Sequence, residues 1–181
     1  RYPKSSLGEI KECKKKSKSK TLRCRPIRIV FNDRQLKIIK KWYDVYRWMY
    51  NYAVEFTKRD STKSFITLRK EIFDNLTDKQ NEFRSQVNKH ILDEAINDVV
   101  KAYKTVKKHV KLGLIKRFRL RKKKKKSIET ICIPSECFSK AKNSFCVKTF
   151  GVIKSSKSIK KTKKTSRLTW NKNEKRFILH V

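Results

Sequence analysis

The segment 32–59, NDRQLKIIKKWYDVYRWMYNYAVEFTKR, restricts the fold more than any other stretch of the chain. Its apolar positions Leu36, Ile39, Trp42, Tyr43, Tyr46, Met49, Tyr50, Ala53 and Phe56 recur at the three-and-four spacing that places side chains on one face of a helix. Asn32 or Asp33 supplies an N-cap. A face this rich in aromatic rings must be covered, so the chain has to build a core around it. Trp42, Tyr46, Met49 and Ala53 are assigned to that core, whereas Trp48 and Tyr52 fall off the stripe and are candidates for stacking on nucleotides. Lys37, Lys40, Lys41, Arg47, Lys58 and Arg59 lie between or beyond the apolar positions, so the helix can pack inward and present cations outward.

What those cations meet follows from the overall charge. The 181 residues, enough for one domain or two small ones, carry 51 Lys and Arg against 16 Asp and Glu, a net charge of +35. Self-repulsion on that scale calls for a polyanionic partner, with nucleic acid the first choice and an anionic membrane surface the competitor. No long apolar run and no signal peptide is visible, which argues against membrane insertion. The five cysteines, Cys13, Cys24, Cys132, Cys137 and Cys146, are odd in number and contain no C-x-x-C pair. Reduced thiols are expected, and together with His90, His109 and His180 they show no metal-ligand spacing.

The chain divides by composition. Residues 1–20 read as a disordered basic tail: a nuclear address, an RNA-binding arm or a solvated end. Alternation over 21–31 predicts a strand, with Pro26 at a bulge or edge position. Beyond the first helix, 63–76 predicts a second, capped by Ser64, with Phe65, Leu68, Ile72, Phe73 and Leu76 buried. Residues 77–83 read as a polar loop. A third helix is expected over 85–112 on the stripe Val87, Ile91, Ala95, Val99, Ala102, Tyr103, Val106 and Val110, and Gly113 is placed to stop it. From 114 onward the period shortens. Alternation at 117–121 and 127–133 around five lysines predicts a two-stranded ribbon with a cationic turn; 144–153 reads as a further strand, 155–165 as a mobile loop, and 166–170 with 175–181 as a hairpin. The fold class is therefore α+β, a β-rich body of 21–31 and 114–181 that closes as one sheet or barrel and is interrupted by a three-helix insertion at 32–113. Arg1 is not a natural start, and the chain stops on a strand residue, so a piece of a longer polypeptide is expected.

Four signals stand in register over nearly the whole chain. They are the apolar pair Ile29-Val30 before the first helix, the run Arg47-Trp48-Met49-Tyr50-Asn51, the Ala102-Tyr103-Lys104 of the long helix, and the ribbon from Phe118 to Lys126. In this order and at this spacing the chain resembles the N-terminal part of TnpB proteins and of their eukaryotic and viral relatives, the Fanzor proteins, with Fanzor preferred. The resemblance implies an RNA-guided DNA endonuclease whose N-terminal part is a wedge-like β-barrel interrupted by a helical recognition lobe. The implied partners are a guide RNA, the target double-stranded DNA and the remainder of the nuclease polypeptide, with no membrane. The implied location is nuclear in a eukaryotic or viral setting and cytoplasmic otherwise.

The resemblance also distributes the residues. The RuvC-like carboxylates that hold Mg2+ and the C-x-x-C pairs that hold Zn2+ belong by the resemblance to a region after Val181, so no catalytic residue, metal ligand or cofactor is expected in this chain. Asp93, Glu94 and Asp98 form the best local acidic group, and pairing with Lys89, Lys101 or Lys104 is their expected role. Nucleic-acid contacts are expected from Arg23, Arg25, Arg47, Trp48, Asn51 and Tyr52, from Arg117, Arg119 and Arg121, and from Lys122, Lys123, Lys124, Lys125 and Lys126. Readers of the duplex flanking the target would be Phe65, Arg69 and Lys89, with position 93 beside them; Asp93 stands where a family sequence has glutamine. Phe65 as a core residue and Lys89 as a solvated charge remain open alternatives. Two other classes fit the charge: a ribosomal-type structural RNA-binding protein, and a DNA-binding transposase subunit acting without RNA.

Overall fold

The computed structural model describes residues 24–59, 64–139, 141, 143–160 and 164–181. The expected tail at 1–20 and Arg23 lie outside the described residues. Strand β1 (Pro26–Val30) points Ile27 and Ile29 inward and Arg28 outward, as its alternation requires. Helix α1 (Asp33–Arg59) follows at once. Asn32 caps it reciprocally: the Gln35 N–H donates to Asn32 Oδ1 at 2.8 Å and the Asn32 N–H donates to Gln35 Oε1 at 3.0 Å.

The expected stripe of α1 is buried from Ile39 to Phe56, with Leu36 half-buried. Val45 and Val54, outside that stripe, are also at 0% exposure, because α1 is covered on two sides. Its Tyr43 hydroxyl donates to the Leu168 carbonyl of the sheet at 2.9 Å, and its Tyr46 hydroxyl donates to Asp98 of another helix at 2.9 Å.

Helix α2 (Phe65–Asp74) begins at Ser64, whose Oγ accepts from the Thr67 N–H at 3.2 Å. The polar loop expected over 77–83 is instead helix α3 (Asp78–Ser85). It buries no residue, so it has no apolar period to read; a capping box between Thr77 and Gln80 starts it. Helix α4 (Lys89–Lys111) is capped by Asn88 and ends at Gly113, whose φ of +69° is the left-handed conformation that glycine adopts without strain. Its buried residues stop at Val100; the last turns, with Ala102, Tyr103, Val106 and Val110 partly exposed, project beyond the core.

Among the described residues three longer strands and three two-residue ones follow: β2 (Ile128–Ile133), β3 (Phe138–Ser139), β4 (Ser144–Phe145), β5 (Lys154–Ser155), β6 (Ser166–Asn171) and β7 (Arg176–His180), with a helical turn α5 (Val147–Phe150) after β4. Four of them join β1 in an antiparallel sheet in the order β2-β6-β7-β1-β5, while β3 and β4 pair only with each other. The expected barrel does not close among the described residues. β2 stands at one margin and the two-residue β5 at the other, and β5 reaches only Ile29 and Val30 of β1. The expected ribbon is also corrected, since 117–121 is a bend followed by irregular chain with no strand partner among the described residues. The strand expected at 144–153 is broken by the left-handed Cys146 (φ +46°) and by α5. The β6–β7 hairpin forms as its turn sequence requires, with Asn171 Oδ1 accepting from the Asn173 N–H at 3.2 Å.

One hydrophobic cluster runs from Ile27, Leu168 and Leu179 of the sheet through Trp42, Tyr46 and Met49 of α1 to Leu68 of α2 and Ile91 and Ile96 of α4. Sheet and helices therefore share a core, and each large side chain in it contributes about 1.5–3 kcal/mol of burial. Among the described residues no helix is long and apolar enough to cross a membrane.

Candidate nucleic-acid interface

Between the exposed end of α4, the flank of α1 and the start of β2 lies an open cleft of about 1510 Å³. Its aromatic lining is Tyr43, Tyr46, Tyr103 and Phe118, and its cationic lining includes Lys107, Arg119, Arg121, Lys124 and Lys126. The segment 118–126 forms one wall. It has no strand partner; side chains of α1 hold it instead. Asn51 clamps the backbone of Lys123 in both directions, its Nδ2 donating to the Lys123 carbonyl at 2.9 Å and its Oδ1 accepting the Lys123 N–H at 2.7 Å. An amide at this position does what a neighbouring strand would do, satisfying both backbone groups.

The ammonium of Lys123 lies in a box. It is 4.1 Å from the ring centre of Tyr50, 5.0 Å from that of Tyr46 and 3.5 Å from Asp98 Oδ2. Burial, with Asp98 beside it, raises the Tyr50 phenol. Burial raises Tyr46 well above its usual value, helped by Cys132 and Asp98, and burial with the Glu129 charge does the same to Tyr43. These phenols stay protonated near neutrality, and those of Tyr43 and Tyr46 act as donors. Burial, followed by the Asp98 charge, also raises the Cys132 thiol.

Below the box, Arg47 is divided between two carboxylates. Its Nη1 donates to Glu129 Oε1 at 2.6 Å and its Nη2 pairs with Asp44. Lys172 Nζ lies 3.0 Å from Glu129 Oε2, an ion pair off the hydrogen-bonding direction. Lys122 pairs with Glu55 at 2.5 Å. Of the expected contact residues, then, Arg47, Asn51, Lys122 and Lys123 are engaged within the protein. Among the described residues Arg119, Arg121, Lys124 and Lys126 form no ion pair, and all four are exposed along the cleft, with Arg117 and Lys125 exposed nearby. Arg25 is exposed at the start of β1.

A second group assembles where α2 meets α4. Arg69 Nε donates to Asp93 Oδ1 at 2.6 Å, and its guanidinium lies 4.7 Å from the ring centre of Phe73, which Arg84 also approaches at 4.5 Å. Phe65 is half-buried against the core, and Lys89 is exposed on the first turn of α4. None of these residues lines the cleft. The acidic residues of α4 mostly turn away from the partners expected for them: Asp93 takes Arg69 and Asp98 takes Tyr46 and Lys123, while Glu94 does meet Lys101 at 3.8 Å.

Trp48 and Tyr52 lie elsewhere again, stacked on each other at 5.6 Å, with Phe83 edge-on to Trp48 at 5.4 Å. The covering ring comes from α3, the helix that the sequence pattern conceals. Tyr103 and Lys107 were missed as cleft residues; their i, i+4 spacing on the projecting end of α4, with Phe118 at 4.8 Å from Tyr103, was the available signal.

The donors do not suit a two-metal site. Among the described residues no three of His, Cys, Asp and Glu come together to hold a metal ion, and Asp93, Asp98 and Glu129 are each engaged by a cation.

No protein-family model matches the chain. It is similar to three TnpB-like proteins of Acanthamoeba polyphaga mimivirus, each 29% identical, one over 178 residues and two over 175. Each match takes in 86% of this chain and 32% of the relative, so the chain spans about a third of the length of the curated relatives it matches and is, over most of its own length, similar to TnpB-like proteins.

Proposed function

We propose that this chain is the nucleic-acid-binding part of a TnpB/Fanzor-type, transposon-associated RNA-guided DNA endonuclease, gripping a guide RNA and the DNA beside its target. The cleft carries this reading: unpaired Arg119, Arg121, Lys124 and Lys126 stand beside the rings of Tyr103 and Phe118, which is the combination of phosphate-neutralising charge and stacking faces that a single-stranded polynucleotide engages. Similarity to the mimivirus proteins supports the family assignment. By the same family reading, cleavage, with its Mg2+ and Zn2+ sites, belongs to a separate nuclease region of the polypeptide. Phe65, Arg69 and Lys89 are proposed as the surface that reads the flanking duplex, with Arg69 held by Asp93.

Salt dependence of RNA binding tests the cleft. Affinity for single strands falls with a slope of roughly 0.7 in log K per log salt for each phosphate neutralised. Changing Arg119, Arg121, Lys124 and Lys126 together to Gln is expected to reduce that slope by about 3 while the thermal transition stays in place. An unchanged slope would remove the cleft from the interface. In the full-length nuclease with guide RNA, Phe65→Ala and Lys89→Ala are expected to weaken discrimination between correct and altered flanks by about 1–3 kcal/mol with RNA affinity unchanged. Equal losses in both would return these residues to a structural role.

A further inference from the structure

We propose that Cys137 and Cys146 form a dithiol site that reacts with low-molecular-weight disulfides, such as oxidised glutathione, to staple the β3–β4 hairpin. The ladder pairs Phe138 with Phe145 and Ser139 with Ser144. One step outward, the same register sets Cys137 opposite Cys146, and the Cys146 N–H donates to the Cys137 carbonyl at 2.7 Å. That single backbone hydrogen bond holds the two residues together at the end of the ladder, where a disulfide, which spans Cα atoms about 4.4–6.8 Å apart, can bridge neighbouring strands. Both cysteines are free thiols, and the two thiols are hydrogen-bonded to each other. Among the described residues Cys24, exposed beside His180, and Cys132, directed at Asp98, have no cysteine opposite them.

The two thiols are not equivalent. Cys137 is half-exposed, and the hydrogen bond from Cys146 holds it below the usual thiol range; Cys146 is buried, and that same bond, then burial, pushes it up. The Cys137 thiolate therefore attacks first. Its sulfur bonds to one sulfur of oxidised glutathione, the glutathione S–S bond breaks, and one glutathione thiolate leaves. The mixed disulfide carries no charge on Cys137, which removes the repulsion opposing ionisation of Cys146. Cys146 then gives its proton to solvent and attacks Cys137 Sγ, so the protein disulfide forms and the second glutathione thiolate leaves. Two protein thiols are oxidised and one glutathione disulfide is reduced to two thiols.

The staple would fix the hairpin that precedes α5, whose Phe150 ring packs 4.7 Å from Trp42. The cleft lies at the other end of β2, at Ile128 to Thr130. Oxidation is therefore expected to stabilise the fold and leave polynucleotide affinity unchanged.

Peptide mapping tests this on the intact chain equilibrated natively with oxidised glutathione and then alkylated. Tryptic cleavage separates 127–140, which holds Cys132 and Cys137, from 143–148, which holds Cys146. The expected result is a loss of two titratable thiols and a covalent link between these peptides that survives Cys132→Ser and Cys24→Ser and is lost in Cys137→Ser. In Cys146→Ser the glutathione adduct should collect on Cys137. Should that variant fail to fold, the unsubstituted protein still decides: brief alkylation must label Cys137 before Cys132. No link under native conditions, a link through Cys132 or Cys24, or labelling of Cys132 first would overturn the proposal.

Discussion

Lys122 and Lys123 belong to the same run as Lys124, Lys125 and Lys126, yet the two ends of the run do different work. The first two hold the chain to itself, through Glu55, Asp98 and the rings of Tyr46 and Tyr50. The last three are exposed, and two of them line the cleft. A charge used internally is already neutralised before any polyanion arrives. Formal charge in a basic protein thus overstates what is offered to a ligand, and the discount depends on carboxylates distant in sequence.

Breaking the anchored end should cost stability, whereas changes at the free end should not. Asp98→Ala removes the acceptor of Tyr46 and the counter-ion of Lys123, and is expected to lower stability by about 2–4 kcal/mol in denaturant titration. Lys124→Ala should stay within about 0.5 kcal/mol. Equal effects would erase the distinction between the two ends.

Alkali should act on the same side of the comparison. Burial raises the folded-state pKa of Tyr43 and Tyr46 well above the usual tyrosine value of about 10, so the folded state binds more protons than the unfolded state above that pH. Their contribution is complete below pH 10 and is lost as pH rises toward the folded values. Stability is therefore expected to fall as pH rises past 10, with both phenols contributing. Tyr46→Phe should make the unfolding midpoint less steep in pH; an unaltered profile would mean that other groups govern it.

Asn51→Ala is a finer probe, because it leaves the Lys123 backbone N–H without its acceptor while keeping every charge. A loss of about 1–2 kcal/mol is expected, with protease cleavage within 118–126 becoming faster. Lys122→Gln should show the smallest effect, under about 1 kcal/mol, since Lys122 and Glu55 keep 53% and 38% side-chain exposure.

The helices were legible because a buried stripe writes its period into the sequence, and α1 and the part of α4 up to Val100 follow it. α3 was not, since a helix that buries nothing leaves only its capping box between Thr77 and Gln80. Alternation at 117–121 suggested a strand, but the segment is irregular, and what holds the adjoining Lys123 is Asn51, 72 residues away. The basic and aromatic residue types of the candidate site could be read from the sequence. Its division into engaged and free cations was not, because Arg47 finds Glu129 82 residues away and Arg69 finds Asp93 24 residues away.

The position of β1 in the sheet bears on how the protein is made. β1 pairs with β7 and β5, its register joining Ile27 to Leu179 and Ile29 to Ser155. At synthesis rates of about 5–20 residues per second, β1 emerges on the order of ten seconds before the last of its partners. Helices α1 to α4 have their own local bonds and can form in that interval, while the amides of β1 wait in water. The delay makes the growing chain most vulnerable to β-strand association before β7 is made, and a chaperone or an early-bound polyanion would act within that window.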